Sequence, residues 1–300
     1  MIYTLTLNPS IDYVVKTNEI IMGATNRSSN EEYYFGGKGI NVSCVLSELG
    51  FNSTALGFIA GFTGDAIDKG ISNEHIRTDF IRLKNGISRI NIKIKAMEET
   101  EINCQGPQVD ADELDALFKK LDQIEDKDTL IIAGSVPKSV PEDIYEKIME
   151  KLQTRDIRIV VDASKKLLLN SLKFNPFLIK PNKQELSEIF EVDINTKDDA
   201  VKYAKLLQQS GARNVLISLG GDGAMLIDEN ENLYEAGIVD QPVINTVGSG
   251  DSMVAGFIAG YEKTNSFEYA LKLGSACGNA TALLPGLATK EKINEILNLF

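Results

Sequence analysis

The chain has 300 residues, 43% of them hydrophobic and 25% charged, the composition of a soluble globular protein long enough for one large α/β domain or two smaller ones. Its net charge of −12 argues against nucleic acid as a partner, although a few placed Arg and Lys can still hold small phosphorylated ligands. No apolar run approaches a membrane span, and the opening MIYTLTLNPS lacks the regions of a signal peptide, so no membrane contact and a cytoplasmic location are expected.

Ile2–Leu7 reads as an opening strand, and Gly39–Leu49 as a helix with Ile40, Val42, Val45 and Leu46 at helical spacing before Gly50 at C′. Ser53–Phe58 is the next strand. Asp110–Ile124 carries Leu114, Leu117, Phe118 and Leu121 on one stripe, opened by Asp110 and Glu113 in a capping-box pattern. A short buried strand follows at Thr129–Ala133. Ser139-Val140-Pro141-Glu142 then combines an N-cap, Pro at N1 and Glu at N3, which predicts a helix start. Ile157–Val161 and Val215–Leu219 are apolar strands, with helices near Lys183–Phe190 and Asp198–Gln209 between them. Two consecutive helices, Asp251–Tyr261 and Phe267–Leu283, end the pattern. Strands alternating with helices predict an α/β fold with a doubly wound, mostly parallel sheet over residues 1–300.

One segment departs from this rhythm. Ser88–Lys95 alternates strictly, Ile90, Ile92 and Ile94 against Arg89, Asn91, Lys93 and Lys95, and continues through Thr100–Asn103. Alternation suits a sheet with one wet face, so about 11–35 and 86–104 are read as a small β-sheet lid. Cys44, Cys104 and Cys277 lack metal-type spacing and read as small buried hydrophobes, and His75 as a surface residue.

Four glycine or Asn/Glu patterns carry candidate chemistry. In Asn245–Ser252, Gly248, Ser249 and Gly250 open an apolar helix, so backbone amides and the helix dipole favour an anion, with Asp251 placed to take a proton. A simple helix cap is the alternative. Gly36-Gly37-Lys38-Gly39-Ile40-Asn41 also runs into a helix, without the spacing of a Walker A loop. Ser218-Leu219-Gly220-Gly221-Asp222-Gly223 suits close approach of a nucleotide, or a hairpin to Ala224–Ile227. In Lys180-Pro181-Asn182-Lys183-Gln184-Glu185, Asn182 and Glu185 face one side and suit Mg²⁺ through water, or a capping box. No GxGxxG follows a strand, which weighs against a dinucleotide oxidoreductase.

In this order, NPSID (residues 8–12), GGKGIN, KPNxxE, SLGGDG and NTVGSGD closely resemble the PfkB group of the ribokinase-like sugar kinases, over nearly the whole chain. The resemblance implies a ribokinase-like fold, with Asp251 as catalytic base and the amides of Gly248, Ser249 and Gly250 as an anion hole. It implies substrate binding by Asp12, Gly37, Lys38, Asn41 and Asn103, and an Arg27–Arg89 clamp with Ser135 on a phosphate already carried by the sugar. Lys180, Ser218, Gly220, Gly221, Gly223 and Asn279 would hold the nucleotide, and Asn182 and Glu185 would organise Mg²⁺. ATP and Mg²⁺ follow as cofactors, with a monovalent cation as a further candidate, and a homodimer through the lid as a candidate assembly. A guanidinium pair suits a phosphate dianion, so the expected acceptor is a ketohexose monophosphate. Asp12-Tyr13, Thr100–Asn103 and Ala133–Pro137 are more similar to the 1-phosphofructokinases than to the tagatose-6-phosphate kinases, which makes fructose 1-phosphate the expected acceptor. Tagatose 6-phosphate or fructose 6-phosphate is the alternative within the group, and a non-catalytic sugar-phosphate-binding regulator is the alternative outside it. Cys44 departs from the group, whose members often carry Arg there.

Overall fold

A computed structural model describes residues 1–300. The chain opens with β1 (Ile2–Thr6), β2 (Ser10–Lys16) and β3 (Asn30–Gly36), then α1 (Lys38–Glu48), β4 (Ser53–Ile59) and α2 (Gly61–Ile71). Short strands β5 (Ile76–Thr78) and β6 (Ile81–Arg82) precede β7 (Arg89–Lys95) and β8 (Glu99–Ile102). Next come α3 (Ala111–Leu121), β9 (Thr129–Ala133), α4 (Ile144–Leu152), β10 (Arg158–Asp162) and α5 (Lys165–Ser171). They are followed by β11 (Leu178–Ile179), α6 (Lys183–Phe190), α7 (Lys197–Gln209), β12 (Asn214–Ser218), β13 (Ala224–Ile227) and β14 (Leu233–Ala236). Three helices close the chain, α8 (Ser249–Thr264), α9 (Phe267–Ala282) and α10 (Lys290–Leu297).

The large sheet runs β14-β13-β12-β11-β10-β9-β1-β4-β5, with β6 beside β4. All its pairings are parallel except the hairpins that add β13 and β14 at one edge. Its strands are apolar on both faces because both faces are buried. Leu130 and Ile132 of β9 join one core with α3, α4 and α7, while Ile131 and Ala133 join the other with α1, α8 and α9. The chain winds outward from β1 in both directions, through β4 on one side and β9 on the other. The β1–β9 boundary is therefore the switch point where a ligand cleft is expected, outside the carboxyl ends of the strands.

The small sheet has the order β3-β2-β7-β8. Its two faces do not divide as simple alternation suggests. Asp12, Asn91 and Lys93 share the face that lines the cleft, and this polar face is the more enclosed one. Tyr13, Tyr33 and Ile102 share the other face and are 38%, 62% and 50% exposed.

Three sequence expectations need correction, the first being Cys104, expected as a small buried hydrophobe but exposed. The helix expected at Ser139 begins only at Ile144, because Ser139 Oγ is drawn away to accept from the Val109 amide at 2.9 Å. Helices α2, α5 and α10 were not expected. In α2, three glycines in GFTGDAIDKGI lower the intrinsic propensity, and tertiary packing overrides it. A Cβ on Gly70 would lie 1.9 Å from the Phe35 ring, so glycine lets the lid strand β3 seat on this helix.

Candidate active site

The carboxyl ends of β1, β9, β10, β11 and β12 open into a cleft of about 980 Å³ that the lid partly covers. At its centre is the start of α8. Gly248 has φ +82° at the N-cap, and a Cβ there would come within 2.6 Å of Leu287 Cδ2, so glycine is required twice over. The amides of Gly250 and Asp251 have no backbone acceptor in the chain, which leaves them for an anion at the positive end of a sixteen-residue helix. A Cβ on Gly250 would sit 3.0 Å from Lys180 Nζ, so this ammonium lies against the same helix start. Ser249 Oγ is buried beside it without a partner.

Asp251 follows directly and is 6% exposed. Burial, then the nearby Asp162 carboxylate, push its carboxyl up to about 6, while Lys38, Lys180 and a hydrogen bond from Asn41 oppose that rise. The bond runs from Asn41 Nδ2 to Asp251 Oδ2 at 2.7 Å. Asn41 is presented by α1, whose entry at Gly37 has φ +119° and leaves no room for a Cβ, 2.6 Å from Thr6 Cγ2. The two glycine-opened helices thus meet at the carboxylate.

Asp162 is a buried acid beside the site that the sequence reading missed. It ends β10 at 1% exposure and accepts from Lys38 Nζ at 2.8 Å, with Lys180 Nζ at 3.6 Å. Burial alone would push its carboxyl up, but Lys180 and Lys38 outweigh burial and hold it below its ordinary value. Burial likewise opposes the charged Lys38, and Asp162 and Asp251 reverse that and raise it. Asp162 Oδ2 remains unpaired. The available signal was a lone acid closing the apolar strand RIVVD at the carboxyl edge of the sheet.

At the lid end, Asp12, Arg89, Asn103 and Ser135 line the cleft. Arg89 Nε donates to the Asn8 carbonyl at 3.0 Å, which aims the guanidinium from β7. Burial pulls Arg89 below its ordinary value, and Asp12 opposes that. Arg27 is not brought to Arg89. It lies in the exposed stretch 18–29 between β2 and β3 and does not line the cleft, so one chain does not assemble the expected two-arginine clamp.

At the opposite end, Ser218, Gly220, Gly221 and Gly223 form the β12–β13 hairpin turn, and line the cleft. The hairpin reading of that motif holds, and the turn faces the cleft. Asn182 pairs with Ser218 in an isolated parallel bridge, which sets the start of α6 beside the turn. Asn182 and Glu185 form a complete capping box: Asn182 Oδ1 accepts from the Glu185 amide at 2.7 Å and Glu185 Oε2 from the Asn182 amide at 2.8 Å. Asn279 has both polar atoms engaged within the protein, Oδ1 accepting from the Val239 amide at 3.0 Å and Nδ2 donating to the Ser275 carbonyl at 2.8 Å. It fixes the Gly237–Val239 wall. Ser275, whose Oγ is buried, unpaired and on the cleft, was also missed.

Residues 5–294 match the profile of the pfkB family carbohydrate kinase. The chain belongs to the pfkB family of carbohydrate kinases. As a pfkB kinase it is 43% identical to a 1-phosphofructokinase from Bacillus subtilis, the match covering 99% of this chain and 97% of the relative. It is 38% identical to a D-tagatose-1-phosphate kinase from Bacillus licheniformis, over 98% and 97%. The fold matches the phosphofructokinase-2 from Escherichia coli in complex with substrates and products, with a TM-score of 0.91, 30% identity and coverage of 99% and 98%. That relative has also been solved with potassium and in a tetrameric inhibited form. Membership of a carbohydrate kinase family implies ATP and a divalent cation as cofactors of this pfkB kinase. No helix is long and apolar enough to cross a membrane.

Proposed function

We propose that this kinase transfers the terminal phosphoryl group of ATP to a ketohexose monophosphate, with fructose 1-phosphate the preferred acceptor and fructose 1,6-bisphosphate and ADP the products. The observation that carries the reading is the buried Asp251 beside the free amides of the α8 start and Lys180, with Arg89 in the same cleft. An acid poised near 6 is ionised at neutral pH and basic enough to take the proton of an attacking hydroxyl. The free amides of Gly250 and Asp251 and the Lys180 ammonium then face the charge that spreads over the transferring group, while the Ser249 amide, expected in the anion hole, donates to the Thr246 carbonyl at 3.2 Å. Arg89, with Ser135, holds the phosphate already on the sugar, and Asp12, Lys38, Asn41 and Asn103 face its hydroxyls.

The nucleotide runs along the Ser218–Gly223 turn toward the wall held by Asn279. Glu185 lines the cleft with Oε2 taken by the capping box and Oε1 left over, which fits a hard cation that takes one or two carboxylates and otherwise water and phosphate oxygens, whereas Asn182 Oδ1 is already engaged by the Glu185 amide. When bound, the cation neutralises phosphate charge. The potassium form of the Escherichia coli relative supports a monovalent cation as a further activator. The exposed apolar outer face of the lid supports a homodimer that covers it, and such a dimer is the setting in which Arg27 could reach a cleft. A cytoplasmic location goes with a supply of ATP and sugar phosphates.

Coupled ADP release with and without hexose phosphates, followed by identification of the bisphosphate, tests the reading. Binding without ADP release would contradict it.

A further inference from the structure

The inward face of the lid carries polar groups that neither the phosphate end nor the Asp251 end uses. Asp12 and Asn91 are direct neighbours in the parallel β2–β7 register, and Lys93 follows two residues later on the same face. Asp12 Oδ1 accepts from Ser10 Oγ at 2.9 Å and from Asn91 Nδ2 at 2.8 Å, which fixes the carboxylate and also the amide. With Nδ2 pinned there, the atom left over on Asn91 is an acceptor. That Oδ1 is buried and unpaired, on a side chain belonging to a residue 6% exposed that lines the cleft. Folded proteins rarely leave such an atom without a partner.

Lys93 is complementary. Its side chain is 16% exposed, and Nζ stands 3.4 Å from Asp12 Oδ2 and 3.8 Å from Glu101 Oε1. Both contacts are ion pairs rather than close hydrogen bonds, so an ammonium with three donors keeps capacity toward the cleft. Asp12 and Glu101 balance its charge, and the group as a whole would repel rather than attract a phosphate. A fixed carboxylate, an amide acceptor and an ammonium donor on one wall suit neutral hydroxyls that both donate and accept.

We propose that Asn91 and Lys93 are specificity-determining residues which, together with Asp12, read the ring hydroxyls of the acceptor sugar. This rests on the sugar-phosphate kinase reading above. A site built to bond a particular hydroxyl rejects the epimer that leaves its groups unpaired, so the cluster sets the choice between ketohexose phosphates that differ at one ring carbon.

Fructose 1-phosphate and tagatose 1-phosphate differ only at C4 and serve as the probes, with wild type, Asn91→Leu, Lys93→Gln and Lys93→Arg compared. Asn91→Ser replaces the Leu variant if circular dichroism shows that the larger change disrupts the fold. In both Asn91→Leu and Lys93→Gln, the KM for the acceptor rises about tenfold or more and the ratio of kcat/KM for the two epimers moves by about tenfold. The KM for ATP stays within about twofold, and Lys93→Arg recovers part of the loss. An epimer ratio unchanged in both variants, or a parallel rise in the KM for ATP, overturns the proposal while the kinase reading stands. Wild type that turns over neither epimer overturns both.

Discussion

Asn41 Nδ2 donates to Asp251 Oδ2 at 2.7 Å, joining residues 210 positions apart. The bond ties the start of α1 to the start of α8 and favours the ionised carboxylate, against the burial that disfavours it. What results is a carboxyl held at about 6 and aimed by a neutral amide.

Asp251→Asn keeps the shape and the helix start but removes the proton acceptor. It is expected to lower kcat by about 10²–10⁴ with small changes in either KM. In the wild type, kcat/KM falls as pH drops through about 6, where Asp251 takes up its proton. Steady-state kinetics across pH check both. Retention of more than about half the wild-type kcat would reduce Asp251 to a helix cap.

The same variant has a predicted effect on stability. Between the ordinary value of 3.8 and about 6, folded Asp251 keeps a proton that the unfolded chain has lost, so stability falls as pH rises across that window. Above the window the buried charge costs on the order of 2–3 kcal/mol. Asp251→Asn is therefore more stable than wild type at neutral pH, with the difference vanishing below the window. Denaturant unfolding at both pH values measures it, and equal stability at neutral pH would count against the buried charge.

Much of this site was legible because its parts are local. Glycines that open a helix, as at Gly37 and Gly248, are demanded by backbone geometry within a few residues, and strand–helix alternation follows from the two buried faces of the sheet. Asp162 was illegible for the opposite reason. Its partners Lys38 and Lys180 arrive from distant segments, and a single acid after an apolar strand does not announce them. The same holds for the lid: alternation in RINIKIK reveals two faces but not that the polar one turns inward. Arg27 and Arg89 were paired by resemblance, and the fold separates them.

That separation is testable. Arg89→Ala is expected to raise the KM for the sugar phosphate with little change for ATP, in line with about 1.5–3 kcal/mol for a charge-assisted contact. Arg27→Ala has a smaller effect, and one that depends on assembly. Equal effects at a concentration where the protein is monomeric by sedimentation would contradict the geometry.

Asn279→Leu unties Val239 and the Ser275 carbonyl. On the proposed reading its consequence belongs to the nucleotide end, so the KM for ATP is expected to rise several-fold while that for the acceptor holds. A change confined to the acceptor would place Asn279 at the wrong end of the cleft.

The central claim is the acceptor. In the proposed pose a phosphate held by Arg89 presents the far hydroxyl of a ketohexose to Asp251, so charge alone does not choose between the C1 and C6 phosphates. On the proposed reading the choice falls to polar groups that line the cleft, Asp12, Asn41 and Asn103 among them. The direct test is kcat/KM for fructose 1-phosphate, fructose 6-phosphate and tagatose 6-phosphate in one coupled ADP assay. The account predicts the highest value for fructose 1-phosphate. A value for either 6-phosphate equal to or above it contradicts the account.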